Sequence, residues 1–347
     1  MRRRPLNLTP TSPLLAVALS LAGACSSHAV TPLDATHVRA LRIVPKAPRA
    51  CPGANIEAAY IAVLDNDSVR VIEPGAMAAI DRSAVGAVPA EEGAWATLKD
   101  PLLTARTGFV LHAQLHDKPS ISSETLVTPD YSCPQEFVMP GADVTVRMCQ
   151  FRSPFYDSVV VIALTIDSGA TTHMVLDAAS AAWQAAHLSV SGRPGRVGNQ
   201  GSSGGQGPGP CMDGGAGGDG GMGWGGGEGG SFSILVQEDH RRLLDFIVTS
   251  NRGGPGGPGG RGGAGGDAGQ NSPDCAIPPR NGSPGHTGPS GPPGASGPPN
   301  QVRELPPASL WQESPSWANP ATRAVLAAML NETLHPRPAL RPPHTDN

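Results

Sequence analysis

Between residues 37 and 190, short apolar runs carry polar residues at every second position and are cut by turn clusters such as Asp65-Asn66-Asp67, the pattern of half-buried β-strands. It predicts strands over residues 38–44, 56–64, 68–72, 108–115, 142–149, 158–166, 171–176 and 187–190, with one helix over 178–186. A region of this length and spacing fits one β-sandwich or two small ones.

Beyond residue 190 the alternation stops and glycine takes over. Four blocks keep a strict period of three: 192–209, 214–231, 253–267 and 282–299. Blocks one and four read Gly-X-Y, whereas blocks two and three read mostly Gly-Gly-X, as in GGPGGPGGRGGAGGD at 253–267. Two apolar runs, 233–237 (SILVQ) and 243–248 (LLDFIV), lie within 232–252 and are expected to form a β-hairpin. The tail 301–347 carries one predicted helix, 320–334, with Asn319 as N-cap and Pro320 at the first helical position, followed by a disordered end.

A polyglycine or polyproline II helix has three residues per turn, so a period of three lines one edge with glycine and lets a second backbone approach. Ordering glycine is entropically costly, and such helices have no internal hydrogen bonds, so the blocks either pack together or stay disordered as linkers. Their unbroken register, their nearly equal length (rods of about 47–56 Å at ~3.1 Å per residue) and the placement of the two triplet types favour packing. The expectation is four rods running up, down, up and down, with blocks two and three central and touching two neighbours each. A collagen-like trimer is the weaker alternative, because the Gly-X-Y runs are short.

The expected fold class is therefore mainly β: a β-sandwich-like region at 37–190, a glycine-triplet bundle of four polyglycine/polyproline II helices at 191–300 with its hairpin at 232–252, and a short C-terminal helix. Up-down-up-down order puts the turns after blocks one and three at one end. Cys211 and Cys275 lie in those turns, so a Cys211–Cys275 disulfide is expected. Of Cys51, Cys133 and Cys149 one pair is expected, with Cys133–Cys149 the choice from proximity.

The N-terminus indicates export. Arg2, Arg3 and Arg4 precede the apolar run 14–24, too short to span a bilayer, so residues 1–24 read as a signal peptide. The sequence Leu21-Ala22-Gly23-Ala24-Cys25 resembles a bacterial lipobox, with Leu one place earlier than the motif prefers; the resemblance implies lipidation of Cys25, a tether over 25–36 and an outer-membrane lipid as partner. An ordinary signal peptide cut near Ala29 is the alternative. The expected location is exported and lipid-anchored at the outer membrane, on the periplasmic or the surface side.

Composition supplies 45 Gly and 37 Pro in 347 residues and a net charge of −4, which argues against a nucleic-acid partner. The string 215–220 matches G-x-G-x-x-G only as any glycine repeat does, and no strand and helix flank it. Arg252 and Arg261 begin Arg-Gly-Gly triplets, better read as solubilising side chains than as RNA-binding boxes. His112 and His116 have zinc-protease spacing, but Ala113 stands where the catalytic Glu is needed. Asp65-Asn66-Asp67 is expected to be a turn, not a Ca²⁺ loop. No catalytic residue, metal site or cofactor is expected.

The order of lipobox, strand-rich region and glycine blocks resembles the glycine-rich and collagen-like repeat lipoproteins of myxobacteria-type bacteria. The repeat half is similar to the glycine-rich antifreeze proteins of springtails, whose period-three helices pack antiparallel with disulfide staples. It departs from them in its mixed outward positions (Arg193, Val197, Trp224, His286) and in lacking a flat Ala/Thr face. The expected role is a non-enzymatic cell-envelope lipoprotein with a structural or display function. The alternatives are an extracellular module in which the β region binds a carbohydrate or envelope protein, and an ice-binding or matrix protein.

Overall fold

The computed structural model describes residues 33–180, 184–312 and 320–334. Cys25, the signal segment, Asn319 and the tail 335–347 lie outside the described residues. The first unit contains β1 (Val38–Pro45), β2 (Arg49–Ala50), β3 (Asn55–Ile56), β4 (Ala58–Leu64), β5 (Val69–Ile72), β6 (Ile80–Val85), β7 (Ala87–Pro89), β8 (Trp95–Thr97), β9 (Phe109–Leu115) and β10 (Ser122–Pro129). They form three small sheets, ordered β1-β4-β5, β2-β10-β9-β6 and β3-β8-β7. Alternation does what it predicts: in β9, Phe109, Leu111, Ala113 and Leu115 are buried while His112 and Gln114 face outward. Tyr60 and Trp95 anchor this core, and the Tyr60 hydroxyl donates to the Gly93 carbonyl at 2.9 Å.

The second unit contains β11 (Glu136–Val138), β12 (Val144–Phe151), β13 (Val159–Ile166), β14 (Thr171–Asp177), β15 (Ala186–Ser189), β16 (Phe232–Gln237), β17 (Ile247–Ser250) and β18 (Gln301–Leu305). A five-stranded sheet, β14-β13-β12-β16-β18, faces a three-stranded one, β11-β15-β17, around Val146, Ile162, Leu188, Phe232 and Phe246. The outer side of the large sheet is also covered: Phe151, Val161 and Leu235 pack against Leu310, Leu326 and Met329 of α1 (Pro307–Gln312) and α2 (Pro320–Leu334). This is why β13 is a nearly continuous apolar run instead of an alternating one.

Two expectations are corrected here. The described residues of the predicted helix 178–186 are not helical: Ala178–Ser180 is one 3₁₀ turn, and Ala186 starts β15. Nor do the apolar runs of 232–252 form a hairpin. β16 pairs in parallel with β12, β17 pairs in parallel with β15, and the two lie in different sheets. A 3₁₀ segment, Arg241–Phe246, carries the chain across the core and buries Leu243 and Phe246 on the way.

The glycine blocks hydrogen-bond to one another through five backbone ladders, each repeating every third residue. Block one donates to block three, from Gly192→Arg252 to Gly207→Asp267, in parallel. Block two donates to block four, from Gly214→Arg280 to Gly229→Ala295, also in parallel. Antiparallel ladders join two to one (Gly227→Arg193), three to two (Gly260→Gly221) and four to three (Gly288→Gly260). Blocks two and three are thus central, with three hydrogen-bonded neighbours each instead of the two expected. The third contact arises because an X side chain faces solvent while its carbonyl turns inward: Pro255 and Pro258 are exposed, yet each accepts from a glycine of block one.

Each block is continuous with a strand. β15 leads into block one and β17 into block three, and the β15–β17 pairing runs on through Val190→Ser250 to Gly192→Arg252. Block two leads into β16 and block four into β18, which pair in parallel as their blocks do. The two facing sheets therefore become two glycine layers, blocks one with three and blocks two with four.

Side-chain cores keep sheets about 10 Å apart, whereas here the backbones touch. A Cβ at Gly260 would lie 1.8 Å from the Asn199 carbonyl oxygen; at Gly225, an outward position of block two, the nearest atom would be Pro292 Cγ at 3.7 Å. Neither glycine has a positive φ. Gly260→Ala is expected to destabilise the chain by about 1–3 kcal/mol through overpacking, and Gly225→Ala to stabilise it by about 0.4–1 kcal/mol. Thermal unfolding of the two variants separates packing from glycine content, since each adds one methyl group.

Candidate functional site

The far end of the blocks is built from the two turns. Cys211 and Cys275 are joined by a disulfide with Cα atoms 5.3 Å apart, closing a separation of 64 residues. Cys211 sits at φ 62°, the left-handed conformation of a tight turn. Its N–H donates to the Gln270 carbonyl, and the Arg280 N–H donates to Asp213 Oδ1 at 2.7 Å, so the two turns also hold each other through polar contacts. Met212 and Ile277 are exposed there, Ile277 at 70 %.

Along the blocks, one triplet breaks the pattern. In block two the sequence Gly223-Trp224-Gly225 puts Trp where its sister triplets have glycine, and glycine at the outward position. That edge of block two is the loosest: a Cβ at Gly221 or Gly227 would meet its nearest atom at 3.3 or 3.1 Å, against about 2 Å at the other edge. Trp224 is accommodated with 62 % of its surface exposed, and its backbone N–H donates to the Arg196 carbonyl at 2.9 Å.

The remaining cysteines correct the proximity expectation. Cys133 pairs with Cys51, with Cα atoms 6.1 Å apart, and Cys149 is a free, buried thiol. Cys149 lies on the covered outer side of β12, packed with Phe151 and Leu235, and its Sγ donates to Gln237 Oε1 at 3.0 Å. Burial pushes this thiol up to about 12. Beside the Cys51–Cys133 bridge lies a cleft of about 210 Å³ lined by Lys99, Asp130, Gln135 and His173. It is smaller than the ~300–1,000 Å³ of sites for drug-sized ligands. His173 Nδ1 is 2.9 Å from Asp100 Oδ2, tying the segment between β8 and β9 to β14.

The other sequence motifs have structural settings. His112 lies on β9 and His116 one residue past its end, about 13 Å apart at ~3.3 Å per residue, too far to share an ion. His112 Nδ1 sits 3.4 Å from Ser83 Oγ. His116 bonds Asp81 at 3.0 Å, and that carboxylate raises the imidazole pKa. Asp67, at φ 63°, closes the β4–β5 turn and pairs with Arg39 at 2.6 Å. The glycine amides of 215–220 donate to carbonyls of blocks one and four, so they are not free to cradle a phosphate. Cys51, Asp130 and Cys133 cluster, but both sulfurs are consumed by the disulfide. Among the described residues no helix is long and apolar enough to cross a membrane, and the two disulfides point to an extracellular or periplasmic location.

Comparison with protein-family models, with curated proteins and with solved structures returned no match.

Three outcomes are expected. Replacing Cys211 and Cys275 together by Ser costs about 2–4 kcal/mol, read as a lower unfolding midpoint. Cys149 resists iodoacetamide in the native protein and reacts once the chain unfolds. Because its folded pKa is raised, the stability its protonated form contributes is complete below the unfolded thiol value near 9.0 and is lost as pH climbs towards about 12. Denaturant midpoints measured across that window, for wild type and Cys149→Ala, check the sign.

Proposed function

We propose that this chain is a non-enzymatic cell-envelope lipoprotein in which four polyproline II-type helices form a stiff rod on a mainly β head. The observation that carries the reading is the set of backbone ladders with period three, which give glycine amides partners that an isolated polyproline-type helix lacks. Prolines fit the same logic. They fall at outward positions whose missing N–H is not needed, as at Pro255, Pro258, Pro289 and Pro292, and they bias φ towards the extended helix. The rod holds its disulfide-closed tip at a fixed distance from the head, and Cys25 anchors the chain to the outer membrane through a thioether-linked lipid.

A second reading is favoured by the cleft beside His173: an extracellular module whose β region takes up a small polar group of a glycan or envelope protein.

The test of the leading reading joins anchoring to rigidity. Cells fed an alkyne fatty acid are expected to label the wild-type protein and not Cys25→Ser, which leaves the membrane fraction. In the purified protein, glycine amides of 253–267 are expected to be dispersed and protected from exchange. Random-coil shifts there, or a lipid-free wild-type protein, would discard the rod or the anchor respectively.

A further inference from the structure

The net charge of −4 conceals a segregation of charge within the glycine layers. Blocks one and three, with the residue that opens block three, carry exposed Arg193, Arg196, Arg252 and Arg261 against a single carboxylate, Asp267 at the far end. Blocks two and four carry Asp219 and Glu228, both exposed, with Asp213 and Arg280 together at the tip, three carboxylates against one guanidinium. One layer is cationic and the other anionic. Among the described residues none of these four guanidinium groups is in an ion pair.

The ladders fix where the arginines stand. Arg193 and Arg196 are one turn apart on block one, about 9 Å at ~3.1 Å per residue. Arg252 lies beside Arg193 across the parallel ladder, because Gly192 donates to its carbonyl. Arg261 is three turns further along block three, about 28 Å away. Level with Arg196, at the seam between blocks one and two, stands the exposed Trp224. A line of guanidinium forks with an open indole beside it supplies the parts needed to hold an extended, acidic, hydroxyl-rich polymer. Each guanidinium takes a carboxylate through two parallel N–H donors, and the indole offers an apolar face to a sugar ring and an N–H to its hydroxyls.

We propose that this cationic layer, with Trp224 at its edge, is a binding track for an acidic polysaccharide. The inference rests on the rod of the preceding section. An anionic bilayer fits the layer less well, since insertion needs several large apolar residues on the basic face and blocks one and three expose one, Val197. Single-stranded nucleic acid fits less well too, because a stacking platform uses successive aromatics and Trp224 is the one aromatic residue in the four blocks.

The experiment measures binding of the full chain to polygalacturonate at low ionic strength, with dextran, vesicles containing phosphatidylglycerol, and single-stranded DNA as comparisons. Binding to polygalacturonate is expected to exceed that to all three and to weaken steeply with salt. Arg193→Ala with Arg252→Ala and Arg261→Ala is expected to lower affinity at least tenfold, and Trp224→Ala several-fold. Asp219→Asn with Glu228→Gln, on the opposite layer, should leave it unchanged or tighter. The substituted side chains are exposed, and protected glycine amides in every variant show that the rod is intact; their loss would indict the rod reading and not the track. With the rod intact, the proposal is overturned by no binding to polygalacturonate, by equal binding of the arginine variant, or by tighter binding to vesicles or DNA.

Discussion

The glycine blocks depend on one geometric constraint: on the tight edges, two backbones can exchange hydrogen bonds at every third residue only if nothing but hydrogen stands on the α-carbons that meet, Trp224 being tolerated on the loosest edge of block two. In a β-sheet, side chains alternate across the plane and neighbouring strands still touch. Among the glycine blocks the carbonyls point straight at the opposing α-carbons, to within about 2 Å of where a Cβ would be. Glycine at the contact edges follows from that approach, and so does the freedom of the remaining positions, which carry Pro, Arg, Ser, Asn and Asp with no effect on the ladders.

The same ladders explain how the head and the blocks belong together. The parallel pairs β15–β17 and β16–β18 are the first steps of the pairings that continue through blocks one with three and two with four. Where the two sheets hold Phe232, Phe246 and Leu188 between them, a conventional side-chain core fills the gap. Past residue 190 the gap closes and glycine replaces the core. The chain passes from one mode of packing to the other without changing its neighbours.

What the sequence made legible follows the same division. The block boundaries and the central place of blocks two and three were readable because a period of three and the number of glycine edges are local properties. Strands such as β9, with strict alternation, were readable for the same reason. β6 and β10 were not, because Ile80-Asp81-Arg82-Ser83 and Ser122-Ser123-Glu124-Thr125 put few apolar residues on their inward side. Pairing partners were the least legible. Nothing local to SILVQ says that it will lie beside β12 across nearly ninety residues, and a hairpin is what adjacency alone predicts. Cys149 misled in the same way: sixteen residues from Cys133, it belongs to a strand whose neighbours bury it. Of the candidate track, the arginines could be counted in the sequence, but their gathering on one layer required the parallel pairing of blocks one and three.

The disulfide at the tip carries a consequence for how this architecture can change length. Blocks one and two form one excursion from the head, blocks three and four another, and both start and finish in register with the sheets. Cys211–Cys275 joins the two excursions at their farthest points, with Cα atoms 5.3 Å apart. Adding one triplet to each block of one excursion would displace its tip by about 9 Å, beyond the reach of the bond. The bridge therefore works as a gauge, admitting insertions and deletions only as matched triplets in all four blocks, so that the distance from head to tip is inherited in discrete steps.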